Sequence, residues 1–151
     1  MVSGTVGAPA AKRPGGARAP SKAAASRAAK SRAWVPERQE VIWIDCNPQA
    51  GGEMRDLHPM LVLSPGSFNA RTGLVIGLPM TTAAYNATNP FALAVGAAGG
   101  RKTDKTSYVL CHQPKSFDWR ARGAKPHPQV KLADVAFAKA CAVLNQIISI
   151  E

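Results

Sequence analysis

The residue pattern predicts a small, mainly β (α+β) domain, a barrel or sandwich with one carboxyl-terminal helix, preceded by a basic tail. Three observations carry that expectation. Short apolar segments rich in Val, Ile and Leu follow one another between Gly/Pro/Asn turns, which is the spacing of an all-β fold. From Lys131 to Ser149 the chain then contains no Gly or Pro, and its apolar residues recur near helical spacing. Residues 1–33, by contrast, hold no aromatic, Leu or Ile.

The tail is taken first. Its basic residues are Lys12, Arg13, Arg18, Lys22, Arg27, Lys30 and Arg32, with no Asp or Glu among them. The formal charge of the 151-residue chain is +10, and these seven cations supply most of it. The remainder is only mildly basic. With so little apolar surface to bury, residues 1–36 are expected to be disordered. The tail reads either as an arm that strengthens RNA binding through counterion release or as a dispensable extension. The folded domain is expected over residues 37–151.

VIWIDC (41–46) is β-branched and aromatic, and reads as the first strand. Asn47-Pro48-Gln49-Ala50-Gly51-Gly52 is turn chemistry that stops it. HPMLVLSP gives the second strand, broken by Pro65-Gly66-Ser67-Phe68-Asn69, and LVIGLPM (74–80) the third. FALAVG (91–96) and SYVLC (107–111) follow, joined by a hairpin loop over residues 97–105 that is expected to be mobile. In the helix, Leu132, Val135, Ala136, Val143, Leu144, Ile147 and Ile148 define the apolar face, broadened by Phe137 and Cys141.

Several function classes are excluded by absence. The chain has no GxxxxGK[ST], GxSxG, HExxH or dinucleotide fingerprint. Cys46, Cys111 and Cys141 form no CxxC pair, which fits neither a disulfide framework nor a zinc module. A metal site from Cys46, Cys111, His58 and His112 has no supporting spacing, so no metal or other cofactor is expected. No apolar run approaches the ~20 residues of a membrane helix, and no secretory signal is evident. The expectation is a soluble, cytoplasmic protein with no membrane partner.

Three polar segments interrupt the apolar pattern: Glu53 to His58, Pro79-Met80-Thr81-Thr82, and His112 to Lys125. The last combines Lys115, Arg120, Arg122 and Lys125 with Phe117 and Trp119. Cations meet phosphates and rings stack on unpaired bases, so this mixture suits single-stranded nucleic acid. The bland reading is a solvated loop with Trp119 anchored in the core.

IWIDCNPQAGGE, HPMLVLSPGSFNARTGLVIGLPMTT and HQPKSFDWRARGAK, in that order, resemble the MazF/PemK family of bacterial toxin endoribonucleases over residues 38 to 148. The family's Asp-x-[Asn/Asp]-Pro is met by Asp45-Cys46-Asn47-Pro48, and its Trp-Arg-Ala-Arg-Gly by Trp119 to Gly123. The resemblance implies an SH3-like β-barrel of the MazF/PemK/CcdB type with a carboxyl-terminal helix. It also implies a homodimer that cuts single-stranded RNA at short sequences without a metal. A cognate antitoxin protein would block the groove, and such pairs bind DNA through the antitoxin.

Carried over by position, the resemblance makes Thr81 the Thr of the family's catalytic pair, Glu53 an acidic catalytic residue of the loop before strand two, and Gln113, Lys115, Trp119, Arg120 and Arg122 the RNA-binding set. Two departures stand out. His58 occupies the place of the family's catalytic Arg, and His112 stands where many members have Asp. Metal-free cleavage needs a base for the 2′-hydroxyl, an acid for the leaving oxygen, and donors for the phosphorane. An imidazole trades protons near neutral pH, whereas an Arg does not. His58 is thus the expected proton-transfer group, with Glu53 orienting it and Thr81 donating to a phosphate oxygen. Two other readings stay open: His58 merely caps a strand entrance, or its presence marks a weakened or inactive homologue that binds RNA or antitoxin. A non-catalytic toxin acting on a protein target is a further alternative. Gyrase poisons share the barrel, but they use a terminal Trp-x-x-Gly-Ile that Ile147-Ile148-Ser149-Ile150-Glu151 does not match.

Overall fold

The structure, a computed structural model, describes residues 33–97 and 104–149. The expectation of a disordered tail therefore falls, up to residue 32, outside the described residues, as does most of the 97–105 loop. From Val35 onward the described residues form one compact unit.

Among the described residues, seven strands, two helices and a 3-10 turn succeed one another. They are β1 (Glu40–Asp45), β2 (Leu57–Val62), α1 (Gly66–Thr72), β3 (Leu74–Thr81), the turn Ala84–Thr88, β4 (Ala92–Ala94), β5 (Tyr108–Leu110), β6 (Lys115–Asp118), β7 (Lys125–Lys131) and α2 (Asp134–Ile147). All pairings are antiparallel, in the order β4-β5-β3-β2-β1-β7, with β6 also on β3. The sheet does not close, which departs from the expected barrel. Its ends explain why: β4 has only three residues, and β7 carries Pro126 and Pro128, which cannot donate to a further strand.

β6, β7 and α1 are absent from the sequence expectation. KSFD offers one apolar residue inward, and the prolines of KPHPQVK read as a non-strand unless an edge position is assumed. α1 begins directly after Pro65, and Glu37 Oε1 accepts the Gly66 N–H at 2.7 Å, covering its first turn. It ends at Gly73, whose φ of 74° suits glycine and whose N–H reaches Asn69 O at 3.1 Å.

β3 organises the sheet. One edge pairs with β2; the other is shared by β6 along Leu74–Gly77 and by β5 at Met80 and Thr81. Gly77 is the tight point, because a Cβ there would sit 2.4 Å from the Leu61 carbonyl oxygen. The core forms where Val41, Leu61, Leu78, Met80, Val109 and Cys111 meet Leu132, Ala140 and Leu144. α2 starts at Asp134, and Leu132 packs from the segment before it. Val135 is 69% exposed, so the helix buries a narrower face than the periodicity suggests. Among the described residues, no helix is long and apolar enough to cross a membrane.

Alternation then fixes what faces away from the core. Met80 and Val109 pair and point inward, so the neighbouring pair Thr81 and Tyr108 points outward. On the other edge the register Met60 with Pro79, extended two residues, brings His58 level with Thr81. His58, Thr81 and Tyr108 therefore form one row across the outer face.

Candidate active site

The loop from Asn47 to Asp56 overhangs this row, and polar contacts at its base and tip hold it. Asn47 Nδ2 donates to Asp56 Oδ1 at 3.1 Å, and Asn47 Oδ1 accepts the Asp56 N–H at 3.1 Å, closing the loop's base with a reciprocal pair. Asp56 has φ 63°, a left-handed conformation that Asp tolerates better than most residues. Cys46 N–H donates to Asp56 O at 2.9 Å beside it.

The basic segment supplies the remaining supports. Arg122 Nη1 donates to the carbonyls of Asp45, at 2.9 Å, and Asn47, while its guanidinium lies 4.1 Å over the Phe117 ring. Gln113 clamps the loop tip: Oε1 accepts the Met54 N–H at 3.0 Å and Nε2 donates to Gly52 O at 3.4 Å. Lys115 Nζ pairs with Glu53 Oε2 at 2.6 Å. The ammonium holds the exposed Glu53 carboxyl below the usual carboxylate range.

Beneath the loop lies a cleft of about 420 Å3, lined among others by Glu53, Arg55, His58, Thr81, Tyr85 and Gln113. His58 is half-buried, and its Nδ1 lies 3.2 Å from Met80 O. A carbonyl can only accept, so Nδ1 is the donor, and in the neutral tautomer Nε2 is the acceptor. Thr81 Oγ1 accepts the Ala83 N–H at 3.2 Å, which leaves the hydroxyl hydrogen available to a ligand.

The structure thus brings His58, Thr81, Glu53 and Gln113 into one cleft and gives the other expected residues different settings. Glu53 takes Lys115 as its partner where His58 was expected. Trp119 is only 6% exposed: Nε1 donates to Asn69 O at 3.0 Å and Arg120 stacks at 4.2 Å on the ring. Its ring is therefore part of the scaffold rather than a platform for a base. Arg122 and Lys115 are committed to the loop, while Arg120 remains exposed beside Trp119. His112 sits 6.1 Å from the Phe91 ring, away from the row.

Two cleft residues were not singled out from the sequence. Arg55 is exposed, lines the cleft, and has no ion pair among the described residues. Among the described residues that line it, no other is a Lys or Arg. Tyr85, from the 3-10 turn, is 78% exposed. The sequence signal for Arg55 was its place in the Glu53 to His58 segment; for Tyr85 it was an aromatic residue amid small polar ones. Cys46 and Cys111 are buried, and desolvation raises both thiols, Cys111 to about 11. Among the described residues no group of three or more His, Cys, Asp or Glu is placed to hold a metal ion.

Comparison with known proteins agrees with this geometry. The model of the PemK-like, MazF-like toxin of type II toxin–antitoxin systems matches residues 37–148. The endoribonuclease toxin MazF of Escherichia coli K12 is 34% identical over 107 residues, spanning 71% of this chain and 90% of its own. The crystal structure of MazF from Deinococcus radiodurans superposes with a TM-score of 0.68 at 30% identity, covering 78% of this chain and all of that one. A MazE–MazF crystal structure from the same organism gives 0.63 at 25% identity, covering 79% of this chain and all of the other. The antiparallel sheet, its carboxyl-terminal helix and the matched sequence together place the chain in the PemK-like, MazF-like toxin family of type II toxin–antitoxin systems.

Proposed function

We propose that this protein is an endoribonuclease toxin that cuts single-stranded RNA at short sequences without a metal ion. In this reading His58 acts as the base. The observation that carries it is the contact of His58 Nδ1 with Met80 O in the cleft that Thr81 shares, which in the neutral ring assigns the proton to Nδ1 and the acceptor role to Nε2. Nε2 removes the proton from a ribose 2′-hydroxyl, and the 2′-oxygen attacks the adjacent phosphorus. The P–O5′ bond breaks, the 5′-oxygen takes a proton from solvent, and a 2′,3′-cyclic phosphate remains on the upstream strand. Thr81 donates its hydroxyl hydrogen to a non-bridging oxygen, and the Arg55 guanidinium offsets the charge of the phosphorane. Glu53 acts indirectly, with Lys115 and Gln113, by holding the loop that carries Arg55.

Family membership and the relative named as an endoribonuclease support the reaction class. A structural neighbour solved as MazE–MazF supports a cognate antitoxin as partner; in this reading the antitoxin covers the same face and the working unit is a homodimer. The test is incubation of purified protein with a long single-stranded RNA in EDTA. Cuts at a repeated short motif, each leaving a 2′,3′-cyclic phosphate, support the reading; tight binding without cuts overturns it. That second outcome is what an inactive homologue would give, a reading favoured by the His at the family's Arg position.

A further inference from the structure

Thr81 belongs to two clefts at once. One holds His58, Arg55 and Tyr85; the other, of about 520 Å3, is lined by Thr81, Thr82, Ala84, Lys105, Thr106 and Tyr108. Each falls in the range of about 300–1,000 Å3 over which proteins take small ligands. The wall between them is the turn that starts at Ala84 and carries Tyr85.

This wall is stiff. Asn86 is buried, and both its N–H and its Nδ2 donate to Ala83 O, at 3.1 and 3.2 Å. Asn89 Nδ2 donates to Asn86 Oδ1 at 3.3 Å, and Asn89 Oδ1 accepts the Phe91 N–H at 3.0 Å. The braced turn holds Tyr85 78% exposed, outside the core, and among the described residues its hydroxyl makes no hydrogen bond. It presents a flat ring with little conformational freedom left to lose on binding. On the far side of Thr81, Tyr108 is its direct cross-strand partner. Lys105 is exposed there, and it has no ion pair among the described residues.

We propose that the two clefts are adjacent nucleotide subsites flanking the phosphate held at Thr81. Tyr85 stacks on the base on the His58 side, and Lys105 pairs with the next phosphate on the Tyr108 side. A strand laid across the row would pass from one cleft to the other over Thr81. The inference rests on the ribonuclease reading and adds to it the residues that grip the strand on each side of the cut.

The probe is a fluorescein-labelled random-sequence 2′-O-methyl oligoribonucleotide, which lacks the attacking hydroxyl and reports binding alone. Tyr85→Ala should weaken its binding about ten-fold, and Tyr85→Phe should stay within about two-fold of the original, because stacking needs the ring and not the hydroxyl. Lys105→Ala should reduce the slope of log affinity against log salt by about 0.7, the signature of one lost single-strand phosphate contact. Both side chains are exposed, so circular dichroism should show all variants folded. Unchanged binding by Tyr85→Ala, or equal losses in the Ala and Phe variants, overturns the stacking role. An unchanged salt slope overturns the Lys105 role, and a wild-type protein that does not bind the probe overturns both. If the expected variant pattern appears while unmodified RNA is never cut, the subsites stand and the ribonuclease reading fails.

Discussion

Two asparagines tie separate segments of this molecule together, and they do so in opposite surroundings. Asn69 is fully buried; its Nδ2 donates to Pro36 O at 2.7 Å and Ser64 O at 3.2 Å, and its Oδ1 accepts from Ser64 Oγ at 2.5 Å. Its carbonyl accepts from Trp119 Nε1 as well. Every polar atom there is matched, as burial demands, and nothing remains for a ligand. Asn47 is exposed and holds the loop over the cleft by two bonds to Asp56. Around it the supports are many but not complete: Gln49 Oε1 is buried without a hydrogen-bond partner among the described residues, and His58, Thr81 and Arg55 line a cleft. The contrast separates scaffold from site: the scaffold is where hydrogen-bonding capacity is exhausted, and the site is where a scaffold holds capacity open.

The largest effect should come from the open side. His58→Ala should lower the cleavage rate by about 10²–10⁴-fold, the usual contribution of a general base, and leave the urea midpoint nearly unmoved. A variant that cleaves at the original rate would return His58 to the scaffold. Asn69→Ala reverses the pattern. It strands buried partners at Pro36 and Ser64 while keeping the backbone carbonyl that Trp119 uses, so stability should fall by about 3 kcal/mol in urea titrations. The fraction that remains folded should cleave at the normal specific rate. A drop in that specific rate would mean that the Asn69 cluster and the cleft are not separable.

Asn47→Ala lies between the two. Its bonds are solvent-exposed, so stability should fall by only about 1 kcal/mol. Cleavage should fall about ten-fold because the loop carrying Arg55 loses its base, and a misplaced charged group forfeits much of its effect. Circular dichroism melts beside initial rates on one RNA would check this, and a loss of stability without loss of rate would make Asn47 a second Asn69.

This distinction also marks what the sequence could tell. β1, β2 and β3 and the helical stretch were legible because each is a long apolar run with one period. β6 and β7 were not, since their strand character comes from neighbours: β6 from the free edge of β3, and β7 from an edge position where proline does no harm. Within the site, His58 and Thr81 were legible through family resemblance, and each stands beside its strand partner. Trp119 was legible both as an RNA-facing residue and as a core anchor, and the sequence could not decide between the two because its hydrogen bond to Asn69 is a tertiary fact. Arg55 and Tyr85 were missed for the same reason. Their value lies in converging on one cleft, which neither local segment encodes.

The smallest expected effect tests the scaffold side through pH. His127 is buried in β7, its ring centroid 4.8 Å from that of Trp43, and its Nδ1 accepts the Gln129 N–H at 3.0 Å. Burial lowers its pKa from the ordinary imidazole value, and the accepted hydrogen bond likewise requires the neutral ring. The unfolded chain therefore takes up this proton first as pH falls below ~6.5. Stability from this group is complete above that point, declines toward the lower folded-state pKa, and is flat below it. The carboxyl of Glu37, held down by the Gly66 and Arg38 N–H groups, contributes in a separate and more acidic window. Urea midpoints should therefore fall modestly from pH 7 to pH 5 in the wild type. His127→Asn, which keeps an acceptor near the Gln129 N–H but cannot titrate, should flatten that segment. An equally steep decline in the variant would mean that protonation at another group, nearer the cleft, sets the acid limit, and the scaffold and the site would then share a titration that the geometry assigns to the scaffold alone.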